Sequence, residues 1–412
     1  TITGHFLSYS GNTKMAEMRD SVILFHKKSK LYTDSLNFDR EKNIGYFFDG
    51  GEIDHEEIDL KSDRGYYYPN NKNYYAVGDA ELEHPDYTIF SDSLRYNTES
   101  RKTDFLASTH IVSDSSRIKC YYGWFDNENN TSAFGENTTI YQKSQTIKAD
   151  SIFYDRNSND GTAWENVFIL DTAENFAASG NYAEYNDKSN SSMITDSALA
   201  MYYEGKDTTY IHGDTIFLYN DSLDNRTVKS YYKVQIYKAD FQGRCDSLIY
   251  KESDSVARMF VEPVLWAEES QITADTIDLY MSNNKAERVE MSVSSFIVMQ
   301  EDSIRFSQIS GENMIAQLEN NELSRIYVPS NTKTIYYVRD EKSQDIIGVD
   351  EKVSEKMRLY REDGKIQKIV FTGNPDGALL PDDHTSPTEM RLKGFVWLKD
   401  KRPVNVKDIF IW

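Results

Sequence analysis

Apolar and polar residues alternate with a period of two along most of this chain, and short polar turns cut the alternation at regular intervals. The run Arg288-Val289-Glu290-Met291-Ser292-Val293 shows the pattern, which predicts a strand buried on one face. Turns such as Asp39-Arg40-Glu41-Lys42-Asn43 and Ser282-Asn283-Asn284-Lys285 carry residues that tolerate left-handed backbone. Almost no helical period occurs before residue 380. The unit is strand, polar turn, strand, which makes the chain all-β.

One phrase recurs within this alternation: Asp-Ser/Thr, an aliphatic, any residue, then an aromatic or aliphatic. It stands at Asp34-Ser35-Leu36-Asn37-Phe38, Asp92-Ser93-Leu94-Arg95-Tyr96 and Asp150-Ser151-Ile152-Phe153-Tyr154, at intervals of 58 residues. Half-way between them lie the variants Asp63-Arg64-Gly65-Tyr66-Tyr67 and Tyr121-Tyr122-Gly123-Trp124-Phe125, so the unit is 29 residues. The phrase returns at Asp214-Thr215-Ile216-Phe217-Leu218, Asp246-Ser247-Leu248-Ile249-Tyr250 and Asp275-Thr276-Ile277-Asp278-Leu279. With Ala178-Ser179-Gly180 and the fragment Asp302-Ser303-Ile304, ten slots start at 34, 63, 92, 121, 150, 178, 214, 246, 275 and 302. A fixed period of this size marks a stacked repeat architecture.

Stacked in register, the slot strands line up Leu36/Phe38, Leu94/Tyr96, Ile152/Tyr154, Ile216/Leu218, Leu248/Tyr250 and Ile277/Leu279 as one continuous apolar lining. The 36-residue gap from 178 to 214, with an extra Asp196-Ser197-Ala198 inside it, reads as an irregular insertion or bend near 183–210. Glu362-Asp363-Gly364-Lys365 predicts a hairpin turn. The stack is expected over 1–372. Pro375, Pro381 and Pro387 then mark 373–412 as a connector, ending in a short apolar cap over the last rung that hides an open sheet edge.

Composition narrows the function classes. Among 412 residues the net charge is −21, spread along the chain, which argues against nucleic acid and against an anionic membrane surface. No window reaches the roughly 18 apolar residues of a membrane helix. Thr1 opens on what reads as the second half of a repeat, so the native N-terminus is expected upstream. Cys120 and Cys245 each precede a slot, four units apart, too far for a disulfide; two free thiols are expected.

No catalytic or cofactor constellation emerges, and no metal site. The histidines 5, 26, 55, 84, 110, 212 and 384 show no ligand spacing, and His55 in Asp54-His55-Glu56-Glu57 reads as a solvated acidic turn. Asp155-Arg156-Asn157-Ser158-Asn159-Asp160-Gly161 resembles a calcium loop but has Gly at its seventh place and Asn166 where a bidentate Glu belongs, so it reads as a turn. Tyr66-Tyr67-Tyr68 and Tyr121-Tyr122-Gly123-Trp124 suit sheet packing better than sugar stacking.

The Asp-Ser-Leu-x-Tyr/Phe phrases, Asn43-Ile44-Gly45-Tyr46-Phe47-Phe48, Gly243-Arg244-Cys245-Asp246-Ser247-Leu248, Pro263-Val264-Leu265-Trp266 and the ending Arg402-Pro403 with Asp408-Ile409-Phe410 together resemble OstA-like proteins, relatives of the lipopolysaccharide-transport proteins of the Gram-negative envelope. The resemblance runs from about Gly4 to Phe410. It implies an elongated open β-jellyroll (a β-taco) with a groove between two facing sheets. Lipid A acyl chains would lie between the sheets and headgroups outside. It also implies a periplasmic location, with association to the inner or outer membrane through partners, and edge-to-edge strand pairing with other β-jellyroll components of a transport bridge. The chain is longer than minimal bridge proteins and lacks the large outer-membrane barrel. The first expectation is thus a non-enzymatic periplasmic lipopolysaccharide or lipid A carrier, with the twelve lining residues as its groove. The alternative is a β-solenoid filled by its own side chains that acts by strand addition. A carbohydrate-active β-helix enzyme is the third reading, and no carboxylate cluster supports it.

Overall fold

The computed structural model describes residues 1–412 apart from 206, 222, 224, 283, 284, 320, 321, 341, 363, 364 and 382–384; the side chains of 204 and 365 are likewise not described. The turn residues Asn283 and Asn284, the hairpin residues Asp363 and Gly364, and His384 lie outside the described residues. The fold is all-β and antiparallel, with short 3-10 helices at Lys399–Lys401 and Val406–Phe410. Two compact units are present, Thr1–Ser189 and Asn190–Trp412.

Each unit is a meander of neighbouring strands. In the first, Met15–His26 pairs with Ser29–Asp39, Asn73–His84 with Tyr87–Asn97, Thr131–Gln142 with Gln145–Asp155, and Asp160–Asp171 with Phe176–Asn186. In the second, Ser191–Glu204 pairs with Asp207–Asn220, Arg226–Tyr237 with Phe241–Lys251, and Lys285–Gln300 with Phe306–Glu319. Alternating apolar residues and Asn/Asp/Lys turns produce this order directly.

These strands are creased in the middle. On one strand of a pair, two successive residues take left-handed backbone: Asp20 and Ser21 (φ 65° and 56°), Glu136 and Asn137 (55° and 56°), Asp196 and Ser197 (60° and 67°), Tyr232 and Lys233 (60° and 56°). On the partner, one residue faces the two, and it is the first residue of the repeated phrase. Register passes from Arg19↔Ser35 to Val22↔Thr33 around Asp34, from Gly135↔Ser151 to Thr138↔Ala149 around Asp150, and from Tyr231↔Ser247 to Val234↔Cys245 around Asp246. Two residues opposing one is a β-bulge, and a bulge bends the strand. Stacked along each unit, the bends divide its sheet into two half-sheets.

The residue before each crease faces inward and is small: Thr33, Ser62, Ser91, Cys120, Ala149 and Gly180 in the first unit, Gly213, Cys245, Ala274 and Gly311 in the second. The half-sheets converge there and leave no room for bulk. A Cβ on Gly213 would stand 2.2 Å from Ser230 Oγ, and one on Gly311 2.5 Å from Val328 Cγ1. The two cysteines belong to this inner column. Both are free and buried, and burial pushes each thiol up to about 12.

Four positions differ from the reading of the repeats. The sixth crease is at Asn181, where register passes from Trp164↔Tyr182 to Val167↔Gly180, so the slot starts three residues after Ala178. Asp302 lies in the turn between strands and bonds the backbone of Ile304 and Arg305; the last crease of that pair is at Glu312. Asp196 and Ser197 are themselves a left-handed pair, and the wider spacing near 183–210 is taken up by two strands of 14 residues. Strands also continue beyond 372, since Asp376–Pro381 pairs with Ile346–Ser354.

The C-terminal segment runs back along the outer face of the second unit, where Met390 and Leu392 pack with Leu380 on Ile335, Tyr337 and Val349. An in-register row crosses this face: Gln242, Trp266, Gln271, Val298, Gln308 and Ile335. The buried glutamines read the segment's backbone. Gln308 donates to Met390 O at 3.0 Å and accepts from Leu392 N at 2.8 Å. Gln271 donates to Val396 O at 2.8 Å and accepts from Leu398 N at 2.7 Å. Each amide thus serves two backbone groups two residues apart, as a neighbouring strand would. Arg402 donates to Gln242, and Gln235 to Ile411 O. Phe395 and Trp397 pack on Phe296, Val298 and Phe306, and the Arg244 guanidinium lies 3.6 Å above the Trp412 ring.

Two outcomes are expected. Val293 is half-exposed at φ 62°, a strained position for a β-branched residue. Val293→Asn should stabilise the protein by about 1 kcal/mol, read as a raised midpoint in urea unfolding. Gln271→Ala should leave Val396 O and Leu398 N, both part-buried, without their partner, at a cost of about 1 kcal/mol. Limited proteolysis should then release the segment after residue 385 before the strands are cut.

Candidate functional site

The two half-sheets of the first unit face each other, and side chains meet across the space between them. The twelve lining residues expected from the repeats all lie on the inner face just beyond a crease. In the first unit Leu36 and Leu94 are fully buried (0% exposed), Tyr96 and Ile152 are buried, and Phe38 and Tyr154 are half-buried. In the second unit Ile216, Leu248, Ile277 and Leu279 are buried, while Leu218 and Tyr250 are half-buried. Neighbouring side chains fill the space around most of them. The second unit holds a cavity of about 10 Å³ among Met299, Ile309, Met357 and Leu359, room for one water.

The opposite inner face was not singled out by the repeats. It carries Leu31, Leu60, Ile89, Ile118 and Ile147, each three residues before a slot. The signal was in the sequence at that fixed offset. The first three are at most 1% exposed, whereas Ile118 and Ile147 are half-buried. Ile140 and Ile169 join them from the intervening strands in direct register, Ile118↔Ile140, Ile140↔Ile147 and Ile147↔Ile169. The result is a row of four isoleucines across four neighbouring strands, about 14 Å long at the usual strand spacing. All four are partly accessible. On the other half-sheet the same strands carry Phe134, Ile152 and Ala163 on the inner face, all buried.

Toward the N-terminus the space is shut. His26, His55 and His84, one repeat apart, sit on the inner rim of one half-sheet. Tyr67, Tyr96 and Phe125, also one repeat apart, face them from the other. His26 Nδ1 and Tyr67 OH share a hydrogen bond. His55 Nδ1 and Tyr96 OH do so at 2.8 Å, with ring centroids 5.7 Å apart. His84 stacks on Tyr87 at 4.5 Å, and Tyr87 stacks on Phe125 at 4.8 Å. The next rim positions hold Ser113, Gln142 and Asp171, so the rings stop where the isoleucine row begins.

His55 is therefore not in a solvated acidic turn; it ends the strand Gly51–His55 and is 5% exposed. Glu56 beside it takes the charge contacts, from Lys28 at 2.6 Å and from Arg101. Tyr67 stacks on Tyr74 at 4.2 Å inside the sheet, as packing predicts for the tyrosine cluster. Asp155 accepts from Asn157 N at 2.9 Å, which makes the calcium-like loop an Asx turn. Among the described residues no group of His, Cys, Asp and Glu could hold a metal ion.

Burial pushes His26, His55, His84 and, in the second unit, His212 below their ordinary value of 6.5. The unfolded chain therefore takes up protons first as pH falls below 6.5. The stability these imidazoles contribute is complete above 6.5 and declines toward their lower folded values. Between pH 6.5 and about 5, before most carboxylates titrate, the melting temperature should fall. His55→Gln keeps an acceptor for Tyr96 but cannot titrate, and should flatten that decline in thermal melts.

Residues 1–92 match a family described as OstA-like protein. Among solved structures, the chain is similar to LptH from Pseudomonas aeruginosa, described as the LptA homologous periplasmic component of the conserved lipopolysaccharide transport device. Identity is 11% over 40% of this chain and 81% of that chain, with a TM-score of 0.13. No curated protein matches. The stretch that carries the three rim histidines is thus the part of the chain that matches the OstA-like family.

Proposed function

We propose that this protein is a periplasmic component of lipopolysaccharide transport that holds acyl chains of lipopolysaccharide or lipid A between its half-sheets. The observation that carries this reading is the isoleucine row of the first unit, an in-register apolar strip that stays partly accessible while the rungs around it are filled. An acyl chain laid along it gains about 0.8 kcal/mol for each buried CH₂. The strip is nearly uniform from strand to strand, so displacement along it changes little in energy, as a conduit requires. The OstA-like match and the acidic charge of −21, which disfavours nucleic acid, support the same reading. The lining residues of the first unit, Leu36, Phe38, Leu94, Tyr96, Ile152 and Tyr154, share one interior with that row.

Partners of the same β-architecture would add by edge-to-edge strand pairing. The second unit favours the alternative role for itself. Its lining residues Ile216, Leu248, Ile277 and Leu279 are buried, which suits a structural, partner-binding stack.

Native mass spectrometry after loading with lipid A tests the proposal. Leu279→Asp would put a charge in a filled core and report on folding, so Ile147→Asp in the accessible row is the informative variant. Lipid capture should drop at least ~10-fold, equivalent to about 1.4 kcal/mol, with circular dichroism unchanged. Undiminished capture by a folded Ile147→Asp protein would sink the proposal.

A further inference from the structure

The histidine–aromatic pairs invite a question that packing alone does not answer. An interior filled only for stability would be expected to use aliphatic side chains. Burying an imidazole and a phenol at the rim costs free energy unless each is satisfied. Here they satisfy each other, across the gap and not along a strand. His26 reaches Tyr67 and His55 reaches Tyr96, both 41 residues downstream. The third rung replaces the hydrogen bond with the stack His84–Tyr87–Phe125, closed by a hydrogen bond between Tyr87 OH and Asn127. Three successive rungs are therefore fastened from one half-sheet to the other. The fastening ends at Ser113 and Gln142, where Ile118 and Ile140 become accessible.

We infer that this clasp determines where along the first unit an acyl chain can lie: it bars the rungs formed by residues 22–97 and confines the chain to the isoleucine row. The inference rests on the acyl-binding reading above. The geometry supplies both parts of the selection. Beneath the clasp, Leu31, Leu60 and Ile89 are sealed at 1% exposure or less, and Tyr67 stacked on Tyr74 fills the cross-section. Beyond it, Ile118, Ile140, Ile147 and Ile169 are partly accessible, facing a wall of Phe125, Phe134, Ile152 and, at its far end, the small Ala163. The clasp residues act as specificity determinants by exclusion and have no need to touch the bound lipid.

The test uses full-length protein with a photoreactive amino acid at Leu31, under the clasp, or at Ile147, in the open row, loaded with lipid A. With the clasp intact, crosslinking is expected at Ile147, with Leu31 at least ~10-fold lower. In His26→Ala/His55→Ala, which unfastens the rim but leaves the tyrosine rings, crosslinking should spread to Leu31. A lipid-free measurement accompanies it. Thiol labelling of Leu31→Cys should accelerate at least ~10-fold in the unfastened background, against the buried Cys120 and Cys245 as internal controls. Should the unfastened variant lose its fold, Tyr96→Phe, which removes only the hydroxyl, gives the same comparison. Crosslinking at Leu31 as strong as at Ile147 in the intact protein would overturn the clasp. So would an unfastened variant with neither faster labelling nor spread. Either result, with Ile147 still crosslinked, leaves acyl binding standing. No crosslink at Ile147 in any background overturns acyl binding itself and the clasp inference with it.

Discussion

The crease governs everything else in this protein. An antiparallel meander of plain strands would make a flat ribbon with two solvated faces and no interior. Two left-handed residues set against one fold each ribbon along a line and turn one face inward. Left-handed backbone costs roughly 1–2 kcal/mol per residue for most side chains. The chain places Asp, Asn, Ser and Gly at many of these positions, where the cost is lowest. Val261 and Val293 hold the same geometry at φ 61° and 62°. Geometry outweighs local preference there, because neighbouring rungs crease at the same line and each bend fixes the next.

From the crease outward the inner face has three zones with different demands. Next to the fold line only small residues fit, which accounts for Gly213, Gly311 and both cysteines. Farther out, aliphatic residues fill the space. At the rim the two half-sheets either fasten or stay apart, and that choice is made residue by residue. A histidine opposite a tyrosine closes the rim without leaving a polar atom unpaired. A serine or glutamine at the same station leaves the isoleucines beneath it in reach. Whether the inner aliphatic residues are accessible thus depends less on how apolar the lining is than on what stands at its rim.

The sequence made the period legible because the crease is written as a phrase. Asp34, Asp92, Asp150, Asp214 and Asp246 each stand opposite a bulge, and the aliphatic two residues on faces inward. It misled where the geometry persists but the phrase does not. Asn181 and Glu312 serve as crease residues without the Asp-Ser signature, while Asp302 carries the signature and caps a turn. Asp196-Ser197 resembles a slot and is the left-handed pair itself. The twelve lining residues were legible as a column but not as exposed or sealed, since that depends on the half-sheet opposite. The clasp was invisible for a related reason. His26, His55 and His84 repeat at 29 residues, but their partners lie 41 residues downstream, and only the folded crease brings the two series together.

The outer faces of the two units differ. In the first, the outer side of the open stretch carries Lys119, Thr139 and Lys148 in register, with both lysines exposed to solvent. That half-sheet is braced by its interior alone. In the second unit the corresponding half-sheet has a buried row of Gln, Trp, Val and Ile on its outer side, covered by the C-terminal segment. Glutamine is suited to this task, because one amide can serve a carbonyl and an N–H two residues apart and so binds extended backbone whatever its side chains. A half-sheet held on both faces resists parting, and its interior is correspondingly filled. One repeated unit therefore gives two surroundings in one chain: a half-sheet with exposed lysines on its outer side, and a half-sheet whose outer side its own C-terminal segment covers.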